Sequence, residues 1–277
     1  MKTIYDTHAL RIMVQRWRNA EEKIAFVPTM GNLHDGHLSL LARARELADR
    51  TIVSVFVNPI QFGQGEDYDN YPSTLKQDGQ KLADNGADVL FAPNLQQEDT
   101  RVSVPGLSNI LCGEYRPGHF SGVATVVTKL FFSVLPDIAL FGEKDYQQLL
   151  VIKRMVSDLC IPVEVLGQPI IREVDGLAMS SRNSYLGVDE RACAPAIYRE
   201  LNRVAESLRD GDRNYATLEN NAVDVLAQAG LKPEYVSIRR LDDLAEPGPE
   251  DSEFSVLAAA WLGGARLIDN VKVTVDG

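Results

Sequence analysis

The stretch FVPTMGNLHDGHLSLLARARELADRTIVSVFV (26–57) joins two apolar runs through a polar loop and an amphipathic segment. KIAFVP (23–28) is a short run of strand type, and TIVSVFV (51–57) is β-branched and nearly continuous, as a strand buried on both faces requires. Between them the periodicity places Leu38, Leu41, Ala42 and Ala48 on one helical face with charges opposite. The loop ahead of that helix holds His34 and His37 around Gly36. Exposed helix residues, two ligands of a metal and a pair that meets a phosphate chain all fit this spacing, which does not choose among them.

The alternation continues outward. Ser73 offers an N-cap for a helix running to about Asn85, with Gly86 to close it, and ADVLFAP (87–93) reads as the next strand. A helix around 120–135, a strand at 137–141, a helix from Asp145 to about Leu159 and a strand at 162–167 follow. This βαβ repetition predicts an α/β fold, a Rossmann-like doubly wound parallel sheet, whose ligands bind at the carboxyl ends of the strands. The last hundred residues differ: two polar helices (about 189–209 and 214–229), PEYVSIRR, an acidic loop, and a hairpin turning at Gly263-Gly264. We expect a first domain over 1–170 and a smaller α+β domain over 171–277.

A net charge of −11 argues against nucleic acid as the main partner, because phosphate backbones need basic surface; a local cluster of cations on an acidic body still suits a small anion. Three widely spaced cysteines without a CxxC suggest free thiols rather than a disulfide framework. The N-terminal residues lack the apolar core of a signal peptide, and the most apolar stretch (123–141) is broken by Lys129, Pro136 and Asp137. A soluble cytoplasmic protein with no membrane partner is the expectation.

The strand-to-helix loops carry the chemistry. In the first, Gly36 allows close backbone approach and the helix N-terminus favours an anion. In the second, Asn58 and Gln61 can both donate and accept, suiting a substrate with hydroxyl and carboxylate groups. After the fourth strand, Gly142 permits a tight exit, Lys144 offers a point charge for phosphate, Asp145 can cap the next helix and Gln148 lies one turn on. Ser180, Ser181 and Arg182 combine two hydroxyls with a guanidinium. Turn chemistry and ordinary surface residues explain each loop equally well when it is taken alone. No Walker motif and no GxGxxG occurs, which disfavours P-loop NTPases and classical dinucleotide dehydrogenases.

The order of the loops is more specific than any one of them. HDGH followed by a late MSSR resembles the HxGH and KMSKS-type signatures of the nucleotidylyltransferase and class I synthetase superfamily. Within it PTMGNLHDGH, FVNPIQF, RPGHFSGV, FGEKDYQQL and GLAMSSRNSYL, with AAWLGGARLIDN near the C-terminus, resemble the pantothenate synthetase (pantoate–β-alanine ligase) family over essentially the whole chain. The resemblance implies an ATP-dependent ligase that forms pantoyl adenylate from pantoate and ATP, then transfers pantoate to β-alanine. It implies that Met30, Gly31, Asn32, Leu33, His34, Asp35, Gly36 and His37 hold ATP, with His34 and His37 on the phosphates and His37 as proton donor. It further implies that Asn58, Gln61 and Gln148 bind pantoate, Gln61 also meeting β-alanine. Gly142, Glu143, Lys144 and Asp145 would contact ATP, Lys144 at the phosphates and Asp145 at the ribose. Ile171 would meet adenine, and Met179, Ser180, Ser181 and Arg182 would close over the triphosphate. Tyr71, Arg116 and His119 match positions lining the site, and Asp78 matches an acidic position near a Mg²⁺ held mainly by ATP oxygens. A homodimer is the family's assembly.

Two departures stand out. The segment after ADVLFAP is several residues shorter than the family's usual YPxG-containing one, and Cys112 stands where an acidic residue is common, so it receives no role. The competing readings are a nucleotidylyltransferase acting on a phosphorylated acceptor through the same HDGH loop, and a non-catalytic nucleotide-binding module.

Overall fold

The structure, a computed structural model, describes residues 1–63, 66–69, 71–95 and 99–275. Two compact units are present: Met1–Glu143 with Gln148–Pro169, and Lys144–Gln147 with Ile170–Gly277. The shortened connection near 94–103 includes Gln96, Gln97 and Glu98, which lie outside the described residues.

In chain order the first unit contains β1 (Lys2–Ile4), α1 (Thr7–Asn19), β2 (Ile24–Thr29), α2 (Asp35–Leu47), β3 (Arg50–Val55), α3 (Leu75–Asp84), β4 (Val89–Phe91), α4 (Cys112–Tyr115), α5 (His119–Val134), β5 (Ile138–Gly142), α6 (Tyr146–Asp158) and β6 (Glu164–Gln168). Residues Tyr146 and Gln147, the first of α6, group with the other unit. All six strands pair in parallel, in the order β1-β4-β3-β2-β5-β6. The order reverses between β2 and β5, so the loops leaving those two strands flank the crevice where such sheets bind ligands.

Both sheet faces are buried, which explains the unbroken apolar strands. Ala25, Val27, Val53, Leu90, Ile138 and Leu140 pack with Leu40, Leu41 and Ala44 of α2 and Leu82 of α3. On the opposite face Phe26 meets the edge of Phe131 in α5, and α1 packs on α5. Each such large side chain stabilises the fold by about 1.5–3 kcal/mol on burial.

The second unit has α7 (Val188–Cys193), α8 (Ala196–Arg209), α9 (Tyr215–Gln228) and an antiparallel sheet of β7 (Lys232–Arg240), β8 (Glu253–Leu262) and β9 (Ala265–Thr274). Leu201, Val204, Ala205 and Leu208 of α8 share a core with Val236, Phe254 and Val256 of the sheet. The hairpin turns at Gly263-Gly264 as expected, with Leu262 opposite Ala265. Among the described residues no helix is long and apolar enough to cross a membrane.

The doubly wound sheet with a smaller second sheet is the fold class the sequence implied, and several local readings need correction. The buried face of α2 is Leu40, Leu41 and Ala44, while Leu38 is half-buried and Ala42 exposed. Alternative apolar stripes on an Ala- and Leu-rich helix are distinguished only by the sheet it meets. The N-cap of α3 is Thr74 rather than Ser73. The helix expected over 189–209 is two helices, broken where Pro195 removes a backbone donor.

Gly122 on α5 is where the second loop meets the helix. A Cβ there would lie 2.4 Å from the carbonyl oxygen of Ile60 and 2.7 Å from Cα of Gln61. We predict that Gly122→Ala lowers stability by about 1–3 kcal/mol, the usual cost of overpacking. A urea melt checks this, and an unchanged midpoint would refute it.

Candidate functional site

The loop leaving β2 is shaped by a backbone that needs outside support. Gly31 and Asn32 have φ of +89° and +51°, a region that side chains rarely adopt. Thr29 Oγ1 accepts from Gly31 N at 3.1 Å and donates to the Ser54 carbonyl at 2.7 Å. Asp78, only 1% exposed, accepts from Asn32 N and Leu33 N, each at 2.9 Å, and from the Thr74 hydroxyl at 2.9 Å. Lys81 Nζ donates to the Leu33 carbonyl. The loop is therefore stitched to α3 before it reaches the histidines.

His34 is the N-cap of α2, and His37 closes the cap reciprocally. Gly36 N donates to His34 Nδ1 at 3.1 Å, and His34 N donates to His37 Nδ1 at 3.3 Å. The rings sit 4.2 Å apart. Because each Nδ1 accepts from a backbone N–H, each neutral ring carries its proton on Nε2. Both imidazoles are thereby set as Nε2–H donors beside a helix N-terminus, an arrangement suited to an anion.

The second loop forms a connected network. Asn58, buried, donates to the Gly122 carbonyl at 3.1 Å and to Gln61 Oε1 at 3.0 Å, and Gln61 Nε2 donates to Met30 Sδ. His119 Nδ1 lies 2.8 Å from the Gln61 carbonyl, and its Nε2 lies 3.0 Å from Arg116 Nη1. A carbonyl only accepts and a guanidinium only donates, so His119 carries its proton on Nδ1. Arg116 also grips Glu66 with both Nε and Nη2, each at 2.6 Å. Burial pushes the Glu66 carboxyl up, but the hydrogen bonds and charge of Arg116, helped by the Gly63 backbone, outweigh it and hold the group below its ordinary 4.5. Tyr71 packs against Phe62 at 5.8 Å between ring centres.

In the second unit Lys144 and Ser180 line one small cavity with Ala178, Asn183, Leu267 and Asp269. Ser180 caps the 3₁₀ turn Ser181–Tyr185 by accepting from Arg182 N. Met179 N donates to the Ile171 carbonyl at 3.0 Å, closing the turn between them. Asp145 is exposed, and Gln148, Ile171, Ser181 and Arg182 are half-buried. Gly142 ends β5, and the Glu143 side chain lies against Gly167.

Sequence reasoning left several of these residues out. Glu66 lies in an acidic loop with no periodic signal, Thr74 and Lys81 at the cap and on the ordinary polar face of α3, and Arg172, Asp269 and Asn270 beside or inside quoted motifs that gave them no role. Asp78 was expected near Mg²⁺. Its two oxygens instead take three hydrogen bonds from the protein, which makes it an anchor for the loop. Among the described residues no group of three or more His, Cys, Asp or Glu is arranged to hold a metal.

Comparison with known proteins is consistent over the whole chain. The family model described as pantoate-beta-alanine ligase matches residues 2–272. Curated pantothenate synthetases of Thioalkalivibrio sulfidiphilus and Nitrosococcus oceani are 54% and 52% identical, each alignment covering 99% of this chain and 98% of the relative. The crystal structure of pantothenate synthetase from Thermus thermophilus superposes with a TM-score of 0.89 at 43% identity, covering 98% of this chain and 99% of that one. A pantoate-beta-alanine ligase from Francisella tularensis, solved with an ATP ligand and β-alanine, gives 0.77 at 36% identity over 98% and 97%.

The Glu66–Arg116 pair predicts a pH signature. A carboxyl held below its ordinary value contributes stability above pH ~4.5 and loses it as pH falls through the lowered value. Glu66→Gln should melt below the wild type by a constant margin at neutral pH, and the two should converge in acid. A margin that persists after the carboxyl is protonated would contradict the assignment.

Proposed function

The chain belongs to the pantoate-beta-alanine ligase family, and from this premise we propose how its own residues divide the work. The protein is an enzyme, an ATP-dependent ligase that condenses pantoate with β-alanine to pantothenate. In our reading a pantoate carboxylate oxygen attacks the α-phosphorus of ATP, pyrophosphate leaves, and the β-alanine amine then displaces AMP from the pantoyl adenylate. The carboxylate is already ionised, so the first step needs positioning and charge stabilisation more than a base.

The observation that carries the assignment is the reciprocal histidine cap. It holds two Nε2–H donors at the start of α2, next to the loop Met30–Leu33, where the charge of departing pyrophosphate needs donors. We assign His34 and His37 to the phosphates, with His37 acting as a hydrogen-bond donor to the leaving group. Asn58 and Gln61 face pantoate, with Gln148 as a further contact. The Arg116–His119 pair fixes the Gln61 backbone, and Tyr71 lines the same loop. Lys144, Asp145, Ile171 and Met179–Arg182, all in the second unit, are assigned to the nucleotide. Mg²⁺ use follows from the family; we assign it to the triphosphate oxygens and give no residue the role of ligand, since Asp78 is committed to the loop.

Pyrophosphate exchange into ATP should depend on pantoate and not on a phosphorylated acceptor; exchange without pantoate would sink this reading. His37→Ala should abolish exchange and lower stability by about 1 kcal/mol through the lost cap. His37→Glu, which can rebuild the cap but carries no donor when ionised, should recover the melt but not the exchange. Recovery of both would leave His37 a cap and nothing more. We also propose a homodimer, for which light scattering should give twice the chain mass; a monomer at all concentrations would exclude it.

A further inference from the structure

The sequence motif that this assignment leaves without a role is LIDN (267–270), in β9. Asp269 and Asn270 are both buried, 5% and 3% exposed, in a strand whose neighbours Leu267 and Val273 are ordinary core residues. Two adjacent buried polar side chains are costly unless every polar atom is engaged. Here the partners point to a purpose.

Asp269 takes both terminal nitrogens of Arg172, at 2.6 and 2.9 Å. Arg172 also donates to the Gly176 and Asn270 carbonyls and stacks 3.7 Å over the Tyr198 ring. It sits at the neck of the turn that carries Ile171 and Met179, bridging to Ala178. Gly176 makes the turn possible: its φ is +92°, and a Cβ would lie 2.4 Å from the Tyr198 ring. Burial raises the Asp269 carboxyl, opposed by the Arg172 hydrogen bonds and charge. One residue further, Asn270 N donates to Asp269 Oδ1 at 2.8 Å, and Asn270 Nδ2 donates to the Lys144 carbonyl at 3.0 Å. The segment is fastened again at Tyr146, whose hydroxyl donates to the Leu241 carbonyl while Lys272 stands over its ring.

We infer that Asp269 and Asn270 form a two-armed positioning element of the nucleotide grip. Through Arg172 one arm holds the turn that leads into Ser180–Arg182, and through the Asn270 amide the other holds the backbone of Lys144. The spacing between the lysine and the Ser180 loop, which share one cavity, is thus set by a single strand. An amide is required at 270 because a carbonyl must be met by a donor, and aspartate or an apolar residue supplies none. The inference rests on the reading that Lys144 and the 180–182 loop hold ATP phosphates.

A double-mutant cycle separates the two. Asn270→Ala should raise the KM for ATP by about tenfold, a usual size for coupled residues, with the KM for pantoate unmoved. In a Lys144→Ala background the same change should add less than about twofold, because its target is gone. Cooperative melting certifies each variant, and Asn270→Leu, similar in volume and without a donor, replaces any alanine variant that does not fold. An equal effect in both backgrounds, or a lower melting temperature with unchanged KM for ATP, overturns the positioning role. If Lys144→Ala alone leaves the KM for ATP unchanged, the assignment of Lys144 falls and this inference with it. If Lys144→Ala is harmful and Asn270→Ala harmless, only the inference falls.

Discussion

The Asp78 carboxylate is the interaction on which the first half of the site depends. Residues 31 and 32 adopt positive φ in succession, and such a backbone persists only where its surroundings over-determine it. Asp78 does so from the facing helix, taking two consecutive backbone N–H groups and one hydroxyl. With the loop so fixed, His34 arrives at the start of α2 in the extended conformation an N-cap needs. Without it, the cap, the ring tautomers and the donor pair would all lose their reference point.

The histidines illustrate how one local bond can serve structure and chemistry together. Serine or aspartate would cap a helix as well as His34 does, but neither would then present a directed N–H. In an imidazole the two nitrogens are linked: once Nδ1 accepts, Nε2 must donate while the ring is neutral. Capping therefore determines what the ring offers a ligand. Whether spaced histidines meant a helix surface, a metal or a phosphate could not be read from residues 34 and 37 alone, because all three use the same spacing. With each Nδ1 accepting a backbone N–H, the neutral rings donate from Nε2, and that is the observation behind the phosphate role proposed above.

The parallel sheet was legible because buried strands such as 24–29 and 51–55 are mostly apolar and β-branched and the intervening helices carry their own periodicity. Asn58 and Gln61, three positions apart, stood out as a pair in the sequence, and the structure joins them by a hydrogen bond. What escaped was set by tertiary distance. Glu66 finds Arg116 fifty positions away, Asp78 reaches back to the 31–33 loop, and Arg172 meets Asp269 across nearly a hundred residues. No periodicity encodes such pairs. The exposed Ala42 of α2 failed for a related reason, since only the packed sheet selects one stripe of a helix over the next.

Asp78 and Asp269 also answer an electrostatic difficulty. The chain carries a net charge of −11, yet its substrates are a triphosphate and a carboxylate. Acidic residues that bind a loop must not repel what that loop binds. Each of these two is buried within its own unit and surrounded by donors: backbone N–H groups and a hydroxyl for Asp78, and an arginine and a backbone N–H for Asp269. Their carboxyl oxygens are engaged by the scaffold, and the segments they hold lead to the two histidines and, in the inference above, to the Ser180–Arg182 loop. Inside a protein the field at a site is set by the nearest, least screened dipoles and charges rather than by the net charge of the whole. An acidic chain can thus hold an anionic substrate by turning its carboxylates inward, each against the backbone of the loop it shapes.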